Sequence, residues 1–160
     1  MKDPLNSFNF QNNSLFAESS LVSDIMDSYG SPLYIYSKSQ IEFNWNLFEK
    51  SFENHPHLIC YAVKANSNIA VLNILAKLGS GFDIVSLGEL ERVIAAGGEP
   101  KKCVFSGVAK SENSIQKALE YGIYCFNVES EDELDRIESV AFSMNMTAPI
   151  SIRVNPNVDA

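Results

Sequence analysis

From residue 32 onward, short runs of consecutive apolar residues alternate with longer stretches whose apolar positions recur every three or four residues. The short runs, at 32–36, 58–63, 82–85, 103–105, 124–128 and 150–154, are rich in Val, Ile, Tyr and Phe and predict strands. The stretches between them, 39–53, 69–78, 88–96, 113–121 and 131–144, predict helices. Strands alternating with helices of this length predict parallel βαβ units. The unbroken apolar character of the strands predicts that both of their faces are covered.

The joints agree with this reading. Ser37…Gln40, Ser86…Glu89 and Ser130…Glu133 have the spacing of a capping box, in which the serine accepts from a free N–H of the first turn and the Glu or Gln reaches back. Gly30, Gly79, Gly97 or Gly98, and Gly122 stand where helices should stop. From Leu58 the strands begin about every 20 to 27 residues, a pitch that suits a (β/α)8 barrel or a doubly wound sheet. Residues 8–18 read as one or two short strands and 21–29 as a short helix, both outside the repeat. The expected organisation is an N-terminal lead-in segment over 1–30, able to pair with a second domain, and an incomplete barrel over 31–160.

Five βα-type strands follow Leu58, whereas a closed barrel of this kind needs eight. Five strands leave two open edges of unpaired backbone groups. The expectation is therefore a piece of a longer protein, inactive and prone to aggregate on its own.

Composition narrows the functions. With 46% hydrophobic and 20% charged residues in 160, the chain can bury a core. Net charge is −8, and no basic run exceeds Lys101-Lys102, which argues against nucleic acid as a partner. No apolar stretch approaches the roughly 20 residues needed to cross a bilayer. Residues 1–11 lack the basic start and apolar core of a secretory signal, so a cytoplasmic location is expected. Cys60, Cys103 and Cys125 each sit in an apolar run and read as small core residues in a reducing compartment. No His or Cys spacing suits a metal, and His55 and His57 fall before a strand, at the end opposite a barrel's catalytic face.

Four residues could carry chemistry. Lys64 closes the strand at 58–63, and the carboxyl ends of barrel strands form the catalytic face. A lysine desolvated at that mouth suits amine chemistry on a carbonyl, while a solvated lysine at a strand end is the plainer reading. Asp83 either orients Lys64 or a cofactor, or is a partly exposed acid in a loop. Arg153, at the end of an apolar strand, should meet a carboxylate or phosphate, and Asp83 or Glu129 could supply a purely structural partner. Ser106 follows the strand at 103–105; a loop helix cap is the favoured reading, and an approach to the same mouth the other.

The motif Tyr61-Ala62-Val63-Lys64-Ala65-Asn66 is similar to the pyridoxal-lysine motif of the fold-type III decarboxylases. The likeness continues through Gly81-Phe82-Asp83-Ile84-Val85-Ser86-Leu87-Gly88-Glu89-Leu90, Phe105-Ser106-Gly107-Val108-Ala109-Lys110-Ser111, Phe126-Asn127-Val128-Glu129-Ser130 and Arg153-Val154-Asn155-Pro156-Asn157-Val158-Asp159-Ala160. That family includes diaminopimelate, ornithine and arginine decarboxylases and is related to alanine racemase. The resemblance implies an alanine racemase-like (β/α)8 barrel, of which about five strands are here, with pyridoxal phosphate as cofactor and Lys64 as the lysine that holds it. It places Asp83 near that lysine and Arg153 at the cofactor-binding mouth. A histidine stands in the place of Ser106 in a variant of the third motif.

The last two blocks look most like the diaminopimelate branch. The implied reaction is loss of carbon dioxide from meso-diaminopimelate to give L-lysine. Ornithine, arginine or carboxynorspermidine as substrate, or a non-catalytic regulatory relative, are the alternatives. The resemblance also implies a homodimer at full length. It places the ring-stacking His, the phosphate-binding glycines, the Glu on the ring nitrogen, and the Cys and Tyr contributed across the dimer in sequence beyond these 160 residues.

Overall fold

The computed structural model describes residues 7–156 and 158. The motif ending in Asn157, Asp159 and Ala160, and the first six residues of the lead-in segment, lie outside them. The chain forms two compact units, residues 1–56 and 57–160.

The first unit holds β1 (Phe8–Gln11), β2 (Ser14–Ala17) and β3 (Ser20–Leu21) in an antiparallel sheet, followed by α1 (Val22–Tyr29) and α2 (Lys38–Ser51). The strand expected at 32–36 is not there. Residues 33–37 have no regular structure, because an aromatic-rich run becomes a strand only where an edge is free to pair with it. Helix α2 starts as its sequence predicts, with the Ser37 hydroxyl accepting from Gln40 N–H at 3.1 Å.

Glu18 adds a second anchor. Its Oε1 accepts from the Ser37 hydroxyl at 2.6 Å and from Ser39 N–H at 2.9 Å. These bonds, the serine hydroxyl first, hold the Glu18 carboxyl below the usual glutamate range. A carboxyl depressed in the folded state stabilises fully above its unfolded value, and the contribution is lost as pH falls through the folded value. Acidification below roughly pH 4.3 should therefore loosen the start of α2, seen as faster amide exchange at Ser39 and Gln40. Glu18→Gln should abolish that pH step.

The second unit is a five-stranded parallel sheet with strand order β4 (Cys60–Ala62), β5 (Gly81–Ile84), β6 (Cys103–Phe105), β7 (Cys125–Val128) and β8 (Ile150–Ile152). Helices α3 (Ile69–Lys77), α4 (Leu87–Ala95), α5 (Glu112–Tyr121) and α6 (Glu131–Ser143) connect them in turn. This order decides between the two architectures that the strand pitch allows. Each strand is followed in space by the next in sequence, so every crossover steps the same way. Right-handed crossovers then put every helix on one face. A doubly wound sheet would reverse direction at a switch point. The sheet is singly wound, a partial α/β barrel.

Burial follows from that winding. Phe82, Ile84, Phe105 and Phe126 of the strands and Leu72, Leu75, Leu90 and Ile115 of the helices are almost completely buried. Each Phe so buried is worth about 1.5–3 kcal/mol, and the rings of Phe105 and Phe126 stack with centroids 5.9 Å apart. The alternate positions Ala62, Asp83, Val104, Cys125 and Asn127 are only half-buried, because they point to the sheet's other, uncovered face. Both faces are therefore not covered along these strands, contrary to the expectation from their apolar runs. Edge strand β8 is exposed throughout.

Between α4 and β6 the helix-ending left-handed residue is Gly97, at φ +85°; Gly98 is there for space, since a Cβ would lie 2.5 Å from Val93 Cγ1. Gly81 has the same reason, for its Cβ would lie 2.6 Å from the Lys102 carbonyl oxygen and 2.7 Å from Cys60 Sγ. Gly81→Ala is expected to destabilise the protein by about 1–3 kcal/mol, read from the denaturant midpoint.

Candidate cofactor site at the carboxyl rim of the sheet

Of the four residues that could carry chemistry, Lys64, Ser106 and Arg153 follow the carboxyl ends of β4, β6 and β8, and Asp83 is the penultimate residue of β5. The strand that carries Lys64 ends at Ala62, and Val63–Ala65 form a 3-10 turn. Val63 is fully buried and anchors the turn, while Lys64 is exposed. The desolvated lysine expected from sequence is therefore not found in this unit, because the uncovered face of five strands stands open to water. The turn itself is fixed. The Tyr61 hydroxyl donates to the Asn66 carbonyl at 3.4 Å, Asn66 Oδ1 accepts from Asn68 N–H at 3.0 Å, and Asn68 caps α3 through Ala70 N–H at 2.9 Å. Arg92 reaches across from α4 to the Ser67 carbonyl at 3.4 Å. The Lys64 side chain has no hydrogen-bond or ion-pair partner among the described residues.

Asp83 lies within β5, in register with Ala62 of β4 and Val104 of β6, so it is a strand residue rather than a loop acid. Ser106 does not cap a helix; Ser111 caps α5. The Ser106 hydroxyl instead donates to Asp83 Oδ1 and accepts from Asn127 Nδ2 at 2.9 Å, linking three neighbouring strands in one polar chain. The N–H of Ser106 meets Ile84 O at 2.8 Å, continuing the ladder one residue past β6 and holding its side chain on the open face.

One step further along the rim, Glu129 follows β7. Its Oε1 accepts from Gly107 N–H at 2.8 Å, and its Oε2 pairs with Arg153 at 2.9 Å. Arg153 thus has the structural partner that sequence left open, yet its side chain remains 54% exposed against 12% for Glu129. Gly107 sits at φ +91°, where a side chain is strained, and a Cβ would also press on Val85 at 3.3 Å.

Sequence reasoning missed the most buried charges. Lys110 and Glu133 form an ion pair at 2.6 Å with side chains 0% and 4% exposed. Lys110 Nζ also donates to Gly107 O at 2.6 Å and Asn127 O at 2.9 Å. Glu133 was legible only as a capping-box residue, and nothing in the local pattern around Lys110 marks it as buried.

Cysteine chemistry is disfavoured here. Burial pushes the Cys103 thiol up to about 12 and raises those of Cys60 and Cys125, so all three are neutral thiols at physiological pH. Among the described residues no three His, Cys, Asp or Glu side chains gather as metal ligands, and no helix is long and apolar enough to cross a membrane.

The class defined by these observations is a singly wound, partial α/β barrel whose carboxyl rim carries an amine without a partner among the described residues after β4, a carboxylate fixed by Ser106 on β5, and a part-exposed guanidinium after β8. Residues 38–160 match the family model of the pyridoxal-binding domain of pyridoxal-dependent decarboxylases, and the chain belongs to that family. The cofactor that goes with this domain is pyridoxal phosphate.

The diaminopimelate decarboxylase of Vibrio cholerae is 58% identical over 154 residues, covering 96% of this chain and 37% of that protein. The crystal structure of diaminopimelate decarboxylase from M. jannaschii, in complex with L-lysine, matches with a TM-score of 0.88 at 35% identity, covering 95% of this chain and 36% of that one. The Helicobacter pylori diaminopimelate decarboxylase complexed with L-lysine matches at TM-score 0.83 and 43% identity, over 86% of this chain and 35% of that one. The chain thus spans a little over a third of the length of these relatives.

The residues present fit the cofactor. An aldehyde needs a free amine, and Lys64 is one, whereas Lys110 and Arg153 are both engaged. The anionic group of such a ligand needs positive charge at the same rim, and the exposed Arg153 guanidinium supplies some.

Proposed function

We propose that this chain is the cofactor-binding part of a diaminopimelate decarboxylase, which converts meso-diaminopimelate to L-lysine and carbon dioxide. The observation that carries the reading is the unpaired amine of Lys64 on a rim where Asp83, Glu129, Arg153 and Lys110 are already engaged. The substrate comes from the relatives: the Vibrio cholerae protein bears that name, and the solved neighbours hold L-lysine, which is diaminopimelate less one carboxylate.

In this reading Lys64 is the residue that would hold the cofactor, its Nζ being the amine suited to the aldehyde, and once released it would be placed to move a proton at the carbon that loses its carboxylate. When bound, pyridoxal phosphate supplies an electron-poor ring that accepts the electron pair left by carbon dioxide. Asp83, fixed through Ser106 and Asn127, holds negative charge beside the lysine. Arg153, oriented by Glu129, presents positive charge to an anionic group of cofactor or substrate. The whole protein works as a homodimer in the cytoplasm, which sedimentation and fractionation would check.

The full-length protein should release carbon dioxide from meso-diaminopimelate in preference to ornithine, arginine or carboxynorspermidine. Preference for a polyamine precursor would move it to another branch of the family. A colourless protein that binds no pyridoxal phosphate would sink the enzymatic reading.

A further inference from the structure

We propose that Lys110 is a positioning residue of the cofactor site: with Glu133 it closes a part-buried ring of hydrogen bonds that sets where Glu129, and through it Arg153, stand. The inference rests on the proposed function, since it assigns a role within that site.

The ring can be walked bond by bond. Lys110 Nζ donates to Gly107 O at 2.6 Å, and Gly107 N–H donates to Glu129 Oε1 at 2.8 Å. Glu129 N–H donates to Glu133 Oε2 at 2.7 Å, and Glu133 Oε1 returns to Lys110 Nζ at 2.6 Å. Gly107 and Glu129 are therefore each held through both backbone and partner. The third donor of the ammonium goes to Asn127 O at 2.9 Å, so all three are used. Asn127 is also the residue whose side chain holds Ser106 on Asp83. Both functional arms of the rim, Arg153 and Asp83, thus trace back to one buried ammonium.

The chain contains its own control. Helix α4 begins with the same capping device, Ser86 accepting from Glu89 N–H at 3.2 Å and Glu89 Oε2 accepting from Val85 N–H at 2.7 Å. No lysine among the described residues joins it there, so starting a helix at this rim does not require a buried cation. Nor does stability, for apolar residues of similar size commonly replace buried ion pairs without loss. What the pair adds at α6 is the fixed placement of Gly107 and Glu129.

The test uses the full-length holoenzyme and its doubly neutral variant Lys110→Met/Glu133→Gln, in which no charge is left buried and alone. The expected result is a protein that still melts cooperatively but binds pyridoxal phosphate at least about tenfold more weakly, titrated by absorbance into the apoprotein. A merely structural pair would shift the melt and leave that affinity alone, so wild-type affinity in the folded variant overturns the proposal. Should the double variant not fold, Glu129→Gln keeps the buried pair and the Gly107 bond while removing the acceptor of Arg153. A similar loss of affinity is expected, and unchanged or tighter binding overturns the proposal. A wild-type protein that fails to bind pyridoxal phosphate refutes the functional reading instead.

Discussion

Lys64→Ala in the full-length protein is expected to cut turnover by at least about 10³-fold, the general acid–base share of its role alone being worth about 10²–10⁴. The absorbance band of the bound cofactor should vanish with it. In the wild type, borohydride should bleach the band and leave a pyridoxyl group on the peptide that contains Lys64. Stability should hardly move. Lys64 is exposed and makes no side-chain bond among the described residues, and such positions usually change stability by no more than about 0.5 kcal/mol. This separation of activity from stability distinguishes a working amine from a solvated strand-end lysine. Lys64→Arg retains the positive charge and should be equally inactive. A variant that keeps the band and its turnover would move the chemistry to another amine.

The opposite pattern is expected at Lys110. Lys110→Met alone leaves the Glu133 carboxylate, whose side chain is 4% exposed, without its counter-charge, and strips a donor from the carbonyls of Gly107 and Asn127. Losing one partner of a buried pair costs about 3–5 kcal/mol, a large part of the 5–15 kcal/mol by which a domain is usually stable. The midpoint of urea unfolding should fall accordingly. Adding Glu133→Gln should restore part of the loss, since the stranded charge then disappears. If Lys110→Met unfolds at the wild-type midpoint, Glu133 has found water or another partner and the pair is not the closed unit described here.

The two lysines show how far local pattern reaches. The rim position of Lys64 was legible because it follows an apolar strand inside a specific motif; Lys110 stands in a quoted motif too, yet directly before a helix cap it looks like a surface lysine. Its burial depends on Glu133, more than twenty residues away, and on the carbonyls of Gly107, in the loop after β6, and of Asn127 in β7. Ser106 is a similar case. A serine after a strand and before a helix has the local form of a cap, but the backbone bond of Ser106 to Ile84 extends the ladder and hands the capping to Ser111.

What the sequence determined by itself was local: where helices start and stop, where the strands of the second unit run, and which residue types stand at their carboxyl ends. Those follow from period, caps and glycine stops, whose physics acts within a few residues. The tertiary structure alone decided that the parallel sheet is singly wound, that residues 32–36 find no strand partner, that one sheet face stays open and leaves Lys64 exposed, and that a buried ammonium ties Gly107, Asn127 and Glu133 together. Each of these depends on which strand pairs with which and what covers a face, and those are contacts between residues too far apart in the chain for any local pattern to encode.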